Sequence, residues 1–208
     1  MHIFITGTDT NIGKTIISSW ICLHTGYTYF KPIQTGNLEG TDSNIIKQLT
    51  SSYIYKETFS YKKPKSPHLA SYLEHKKISI NKINFLKKNN NIIIEGAGGV
   101  LVPLNNTTLM IDLIKKSKAS VIVVASSALG TINHTLLTLE ALRSRNIIVL
   151  GVILNSTSNN DYKENIKAIE LYGKTNVLAC IPKLKKISKM ELLKIKFTKH
   201  LKQIFGIK

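Results

Sequence analysis

Lys14 and Thr15 close the run Gly7-Thr-Asp-Thr-Asn-Ile-Gly-Lys-Thr15, which follows the apolar residues Ile3-Phe4-Ile5 and precedes Ile16, Ile17, Trp20 and Ile21 at helical spacing. A glycine-bounded loop that opens a helix turns unpaired backbone N–H groups toward one point. The lysine adds a compact positive charge there, and the threonine hydroxyl can ligate the magnesium that accompanies a nucleotide. These residues imply a site for a triphosphate. The loop departs from the G-x-x-x-x-G-K-[ST] pattern, since Thr8 stands where that pattern has glycine and five residues separate Gly7 from Gly13.

Three further groups accompany the loop. Lys31 follows the strand-like Tyr27 to Phe30 and is suited to holding a transferring phosphoryl group or an anionic intermediate. Glu95 closes the apolar run Asn91 to Ile94 and is followed by Gly96, Ala97, Gly98 and Gly99. An acid at that place is either a strand-end charge before an ordinary turn or a magnesium ligand beside Thr15, and the whole run with its glycines, which let backbone approach a phosphate closely, favours the metal role. Asp42, in Gly40-Thr41-Asp42-Ser43, is either a helix N-cap or a second magnesium carboxylate, two roles that compete for the same oxygens. Downstream, Leu129-Gly-Thr-Ile-Asn-His134 opens a helix and offers another set of amides to an anion. Asn133 and His134 read as caps or surface polar groups, and His134 is not a general base. Asn155 and Pro182 stand at the ends of late strands, where they either line a base pocket or form turns.

These side chains need a frame that brings strand ends together. Strands are expected at His2 to Thr6, Tyr27 to Lys31, Asn91 to Glu95, Ser120 to Ala125, Ile147 to Leu154 and Asn176 to Ile181. Helices are expected at Lys14 to His24, Asp42 to Leu49, Pro67 to Leu73, Met110 to Lys115, Ile132 to Arg143 and Asp161 to Tyr172. A terminal amphipathic segment runs from Ser188 to Phe205, with Met190, Leu193, Phe197, Leu201 and Ile204 on its apolar stripe. Strands alternating with helices make a parallel α/β sheet flanked by helices on both faces, and such sheets bind ligands beyond their carboxyl strand ends.

At 208 residues and 43% hydrophobic, with no linker or repeat, the chain is expected to form one domain over residues 1–208. It has no apolar run of the roughly 20 residues a membrane span needs, and no charged leader precedes its first strand. A soluble, cytoplasmic protein is expected. Cys22 and Cys180 have no C-x-x-C partner and read as reduced core residues. The net charge of +17 raises nucleic-acid or membrane binding. Its lysines are scattered through pairs such as Lys62-Lys63, Lys87-Lys88 and Lys185-Lys186, without an arginine-rich helix or an RNA-binding aromatic signature, so neither partner is expected.

Gly7 to Thr15, Lys31-Pro-Ile-Gln-Thr-Gly36, Ser66-Pro-His68, Glu95-Gly-Ala-Gly-Gly99 and Leu129 to His134, in this order and at these separations, closely resemble the dethiobiotin synthetase family. The resemblance runs from residue 2 to about Pro182. It implies a single-domain P-loop NTPase-type fold and an ATP- and Mg2+-dependent ligase. Such an enzyme makes dethiobiotin from 7,8-diaminopelargonic acid and CO2 through a carbamate and a phosphorylated carbamate, releasing ADP and phosphate. By the resemblance, Lys14 and Lys31 stabilise charge in catalysis, and Thr15, Asp42 and Glu95 hold magnesium. The nucleotide contacts are Asn11, Ile12, Gly13, Lys14, Thr15 and Ile16, then Asp42, Glu95, Gly96, Ala97 and Gly98, with Asn155, Pro182, Lys183 and Leu184 facing the adenine. Thr35 contacts the carbamate or a diamine nitrogen. Gly130, Thr131, Ile132 and Asn133 bind the substrate carboxylate from the neighbouring subunit of a homodimer. Asn11 stands where many members carry Glu, and the tail after Pro182 has no acid until Glu191.

Two rivals share the loop. A partitioning-type P-loop ATPase switch would carry an extra lysine early in the loop, where this chain has Thr8, Asp9 and Thr10. An amidoligase of the cobyrinic acid synthase type would need a glutaminase domain, for which 208 residues leave no room.

Overall fold

The computed structural model describes residues 1–85, 91–157 and 162–207. Its strands are β1 (His2–Gly7), β2 (Thr28–Phe30), β3 (Ile33–Thr35), β4 (Ile54–Tyr55), β5 (Phe59–Tyr61), β6 (Ile92–Gly99), β7 (Ser120–Ser126), β8 (Val149–Thr157) and β9 (Val177–Pro182). The α-helices are α1 (Lys14–Thr25), α2 (Asp42–Leu49), α3 (Pro67–Leu73), α4 (Met110–Ser117), α5 (Thr131–Arg143), α6 (Tyr162–Gly173), α7 (Lys189–Lys194) and α8 (Lys199–Phe205).

Seven strands form one parallel sheet in the order β4-β2-β6-β1-β7-β8-β9. Strand β1 sits in the middle, so the loop that follows it emerges between β6 and β7, where the chain's windings run to opposite sides. Successive side chains on a strand point to opposite faces, and both faces are apolar because both are covered. Ile3 and Ile5 of β1 pack in a layer with Tyr29, Ile93, Ile122 and Ile153, under Trp20, Ile46, Leu192 and Leu201. Phe4 packs on the other side with Phe30, Ile94, Val123 and Leu154, under Leu113, Leu139 and Ile169. Each fully buried side chain of this size contributes roughly 1.5–3 kcal/mol relative to its exposed form, so the two layers hold the strand ends in place.

The expected strands and helices are present with ends shifted by a few residues, and three short strands are additions. Pro32 follows β2 after Lys31, and its carbonyl accepts from Thr58 N and Phe59 N. Strand β3 then pairs with β5 in a separate two-stranded parallel sheet that carries Thr35 outward. The terminal segment is two helices rather than one. Ser188 caps α7 and Thr198 caps α8, and Thr198 Oγ1 also donates to Leu178 O at 2.8 Å. The break lets the Trp20 indole donate to Ile195 O and lets Phe197 stack on His24 with ring centroids 4.9 Å apart. The apolar stripe changes with it: Leu192 is buried, while Met190 and Leu193 are exposed. Cys22 is buried on α1 and Cys180 half-buried on β9, both free. Asp161 and the pair Lys87-Lys88 lie outside the described residues. No helix is long and apolar enough to cross a membrane among the described residues.

Candidate active site

The loop after β1 is tightly self-packed. A Cβ on Gly7 would come within 2.3 Å of Ile12 Cδ1, so the chain folds back over its own start and needs glycine there. The Thr8 N–H donates to Val124 O at 3.0 Å, a strand-like partnership that makes no demand for glycine one residue later. Asn11 (φ 54) and Gly13 (φ 89) are both left-handed, which turns neighbouring amides into one concavity ahead of α1. Asparagine is among the few residues that enter this region readily. Lys14 Nζ donates to Asp9 O at 2.7 Å across the loop. From the far side Asn155 Nδ2 donates to Ile12 O at 2.8 Å.

Beside the loop, the parallel register of β2 on β6 sets Phe30 opposite Ile94. One residue on, Lys31 reaches Glu95, with Nζ 2.9 Å from Oε1 and 3.4 Å from Gly96 O. The same ammonium is ion-paired with Asp42. Thr15 Oγ1 lies 2.7 Å from Asp42 Oδ1 and 3.0 Å from Glu95 Oε1. Glu95 Oε2 accepts from the Tyr29 hydroxyl at 2.9 Å. The competition over the Asp42 oxygens is resolved by its neighbour. Thr41 Oγ1 caps α2 by accepting from Asn44 N at 3.1 Å, which leaves the Asp42 carboxylate for Thr15 and Lys31.

Lys31 is 5% exposed, Glu95 1% and Lys14 7%. Burial, reinforced by the Lys31 charge, pulls the Lys14 ammonium down to about 8. Burial alone would do the same to Lys31, but Glu95 and Asp42 outweigh it and raise its pKa. For Asp42, burial favours the neutral acid, yet the Lys31 charge and the bonds from Lys31 and Thr15 hold the carboxyl below its ordinary value. The cluster therefore contains one lysine whose ammonium is reinforced by its carboxylate partners and one whose ammonium is weakened by burial.

The Thr15 hydroxyl has one hydrogen and two carboxylate oxygens within bonding distance, so it can serve only one of them at a time. Three hard oxygens crowded around a single proton suit a small divalent cation. Among the described residues no group of three or more His, Cys, Asp or Glu side chains gathers to hold a metal. A cation at this place would complete its shell from phosphate oxygens and water, as Mg2+ does.

Comparison with known proteins shows the family. A family model described as an AAA domain matches residues 1–191. The ATP-dependent dethiobiotin synthetase BioD of Lawsonia intracellularis is 56% identical over 205 residues, covering 99% of each chain. The chain belongs to the dethiobiotin synthetase family. The protein of that name from Neorickettsia sennetsu is 44% identical, over 98% of this chain and 95% of its own. A solved MinC:MinD cell division protein complex from Aquifex aeolicus superposes with a TM-score of 0.60 at 14% identity, covering 100% of this chain and 97% of that one. That likeness shows the P-loop NTPase fold alone.

Within this synthetase fold, the residues expected at the site divide between two clefts. The first, about 400 Å³, is lined by Asn11, Gly13, Lys14, Thr15 and Ile16 from the loop and helix, and by Lys31, Thr35 and Asp42. Glu95, Ala97 and Gly98 complete its far wall. Ile12 and Gly96 do not line it: the Ile12 carbonyl is held by Asn155, and Gly96 packs against the Phe4 ring, where a Cβ would come within 2.9 Å. The second cleft, about 1090 Å³, gathers Gly130, Thr131, Ile132 and Asn133 with Lys183. Gly130 caps α5 at φ 89, and Thr131 Oγ1 donates to Ser126 O at 2.5 Å. Pro182 is exposed at the end of β9, and Leu184 packs against the core. Asn155 sits between the clefts, paired in register with Ser126 and Ile181, its amide engaged by the loop.

Sequence reasoning passed over Tyr29 and Gln34. Gln34 Oε1 accepts from Asp42 N at 3.2 Å and its Nε2 donates to Thr35 O. The signal for Tyr29 was present, since residues two apart on a strand share a face and Tyr29 stands two before Lys31.

Proposed function

We propose that this protein closes the ureido ring of dethiobiotin from 7,8-diaminopelargonic acid and CO2, using ATP and Mg2+ and releasing ADP and phosphate. It acts in biotin biosynthesis as a cytoplasmic homodimer, each subunit a single ATP-binding domain over residues 1–208, with no nucleic-acid or membrane partner. Membership of the family supports the reaction. The observation that carries its chemistry is the buried Lys31 ammonium held between Asp42 and Glu95 beside the phosphate loop.

The first substrate amine takes up CO2, losing a proton, and becomes a carbamate. A carbamate oxygen then attacks the γ-phosphorus and the bond to ADP breaks. The second amine attacks the activated carbonyl carbon, its surplus proton passes to the departing phosphate, the carbon–oxygen bond to phosphate breaks, and the ring closes as phosphate leaves with the oxygen. The first step creates negative charge on the carbamate oxygens and the later ones move it between oxygens, so the protein's task is positioning and fixed positive charge.

Lys31 carries that charge beside the carbamate and γ-phosphate, and its two carboxylate partners keep it protonated. Lys14 exchanges the Asp9 carbonyl for phosphate oxygens, and the added anions favour its protonated form. Thr15, Asp42 and Glu95 hold Mg2+, which draws charge from the phosphates when bound. The loop amides around Asn11, Ile12 and Gly13 bind the phosphates, Ile16 and the Gly96–Gly98 backbone bound the site, and Thr35 contacts the carbamate end of the substrate. No nucleophilic side chain or general base is required.

Gly130, Thr131, Ile132 and Asn133 bind the substrate carboxylate across the dimer. Their separation from the first cleft supports this, as do Leu101, Leu129 and Leu137, exposed near this turn. Asn155, Pro182, Lys183 and Leu184 bound the adenine pocket.

The test follows ADP release with ATP, Mg2+ and bicarbonate, with and without 7,8-diaminopelargonic acid, and detects the cyclic urea by mass spectrometry. ADP formation is expected to require the diamine. Hydrolysis indifferent to it would remove the synthetase reading.

A further inference from the structure

Tyr29 is 0% exposed, beneath α1, and its hydroxyl donates to Glu95 Oε2 at 2.9 Å. Glu95 is itself 1% exposed, with Oε1 on Thr15 and Lys31. A carboxylate turns about its last side-chain torsion over a broad, two-fold profile. Oε1 alone, shared by Thr15 and Lys31, leaves that rotation weakly defined. Tyr29 supplies the missing constraint, because it approaches the other oxygen from below the strand ends. The register makes this approach specific. Tyr29 pairs with Ile93, so its ring runs along the sheet toward the residue two further on, which is Glu95. The ring is packed in the layer formed by Ile3, Ile5 and Ile93, so the hydroxyl is delivered by a rigid body.

We propose that Tyr29 is a positioning residue for Glu95: its hydroxyl pins Oε2 so that Oε1 is presented to the cation and to Lys31 in one orientation. The inference rests on the reading that Thr15, Asp42 and Glu95 hold the divalent cation. Tyr29 touches neither nucleotide nor substrate and acts only through the carboxylate. Partners that orient a metal-binding carboxylate change metal affinity by about 10- to 100-fold when removed. The ring should carry the packing and the oxygen the positioning, so Tyr29→Phe separates the two.

The experiment measures Mn2+ binding to the full-length protein by electron paramagnetic resonance in the presence of ADP, and ADP binding without metal by calorimetry. Tyr29→Phe is expected to weaken Mn2+ by about tenfold, at the low end of that range, with metal-free ADP affinity and circular dichroism unchanged. Tyr27→Phe, which removes a phenol from the same layer but not from Glu95, is expected to bind Mn2+ as the parent does. Thr15→Val tests the underlying reading by itself. If it leaves Mn2+ binding intact, the cation is held elsewhere and both readings fall. If it abolishes Mn2+ binding while Tyr29→Phe binds normally, only the positioning role is overturned. An equal loss of metal-free ADP binding in Tyr29→Phe, or failure of that variant to fold, would assign the hydroxyl to general stability and also overturn it.

Discussion

Replacing Lys31 with methionine should make the stability of the protein depend on divalent cation. Lys31→Met keeps an unbranched chain but removes the ammonium that faces Asp42 and Glu95. Breaking a buried pair by deleting one partner costs about 3–5 kcal/mol, because a charge is left uncompensated in the interior. Here the Asp42 side chain is 23% exposed and Lys14 shares the cleft, which favours the lower end, about 3 kcal/mol. At about 2–4 °C per kcal/mol for a domain of this size, the expected fall in Tm is about 6–12 °C. The pH range follows from the two pKa directions. Asp42 is held low, so its contribution is complete above the ordinary value of 3.8 and is lost as pH falls through its folded pKa. Lys31 is raised, so its contribution is complete below 10.5 and is lost as pH rises through its folded pKa. The deficit of the variant should therefore be greatest at neutral pH. With the ammonium gone, the two carboxylates and Thr15 Oγ1 become a stronger cation site, and Mg2+ at a hundredfold its Kd should restore about 2.7 kcal/mol. The assay is thermal unfolding by circular dichroism across a Mg2+ titration at neutral pH. A variant as stable as the parent without Mg2+, or one that gains no more from Mg2+ than the parent, would refute the account of the cluster.

The lowered Lys14 pKa has its own signature. Moving from 10.5 to about 8 on folding corresponds to roughly 3 kcal/mol, with the buried charge as the penalty. Between those values the unfolded chain holds more protons, so stability rises with pH there; Lys14→Met should gain over the parent at pH 7 and lose that gain by pH 10.5, as denaturant titrations at both pH values would register. Asn155→Ala removes the bond to Ile12 O, worth about 0.5–1.5 kcal/mol, and should weaken ADP by about 2- to 12-fold in calorimetry. An unchanged affinity would show that the loop needs no brace from β8. Leu129→Asp combined with Leu137→Asp should yield monomers in sedimentation and depress ligase turnover by at least tenfold, the order expected when a positioning contact is lost. An active dimer would move the carboxylate site off the Gly130 turn.

The sheet and the charged cluster were legible because each rests on a local signal. Continuous apolar runs mark strands covered on both faces, and the glycine-bounded loop and Glu95 stand where such runs end. The short strands β3, β4 and β5 were not legible, since two or three residues cannot establish a period and their pairing is set by the tertiary frame around Pro32. The terminal segment misled for a related reason. Met190 and Leu193 fit a helical stripe, but the Trp20 bond to Ile195 O and the Phe197 ring favour a break, and that rotates Leu192 inward. Asp42 was ambiguous because an acid at a helix start serves equally as cap or ligand. Only the observed Thr41 cap separates the two. The hold of Asn155 on the loop spans 143 residues of sequence, a separation at which no local pattern operates.

The placement of Lys31 opposite Glu95 also bears on how the chain folds. Strand β2 has only three residues, too few for its backbone bonds to distinguish one alignment on β6 from its neighbours. A slip of one residue would turn Lys31 into the layer of Phe4 and Ile94 and leave Glu95 without its ammonium. Such misaligned states carry the penalty of an unpaired buried charge. The ionic contact that serves the reaction thus acts as a proofreading mark between β2 and β6, and a variant that neutralises both partners should fold with a less sharply defined β2 register.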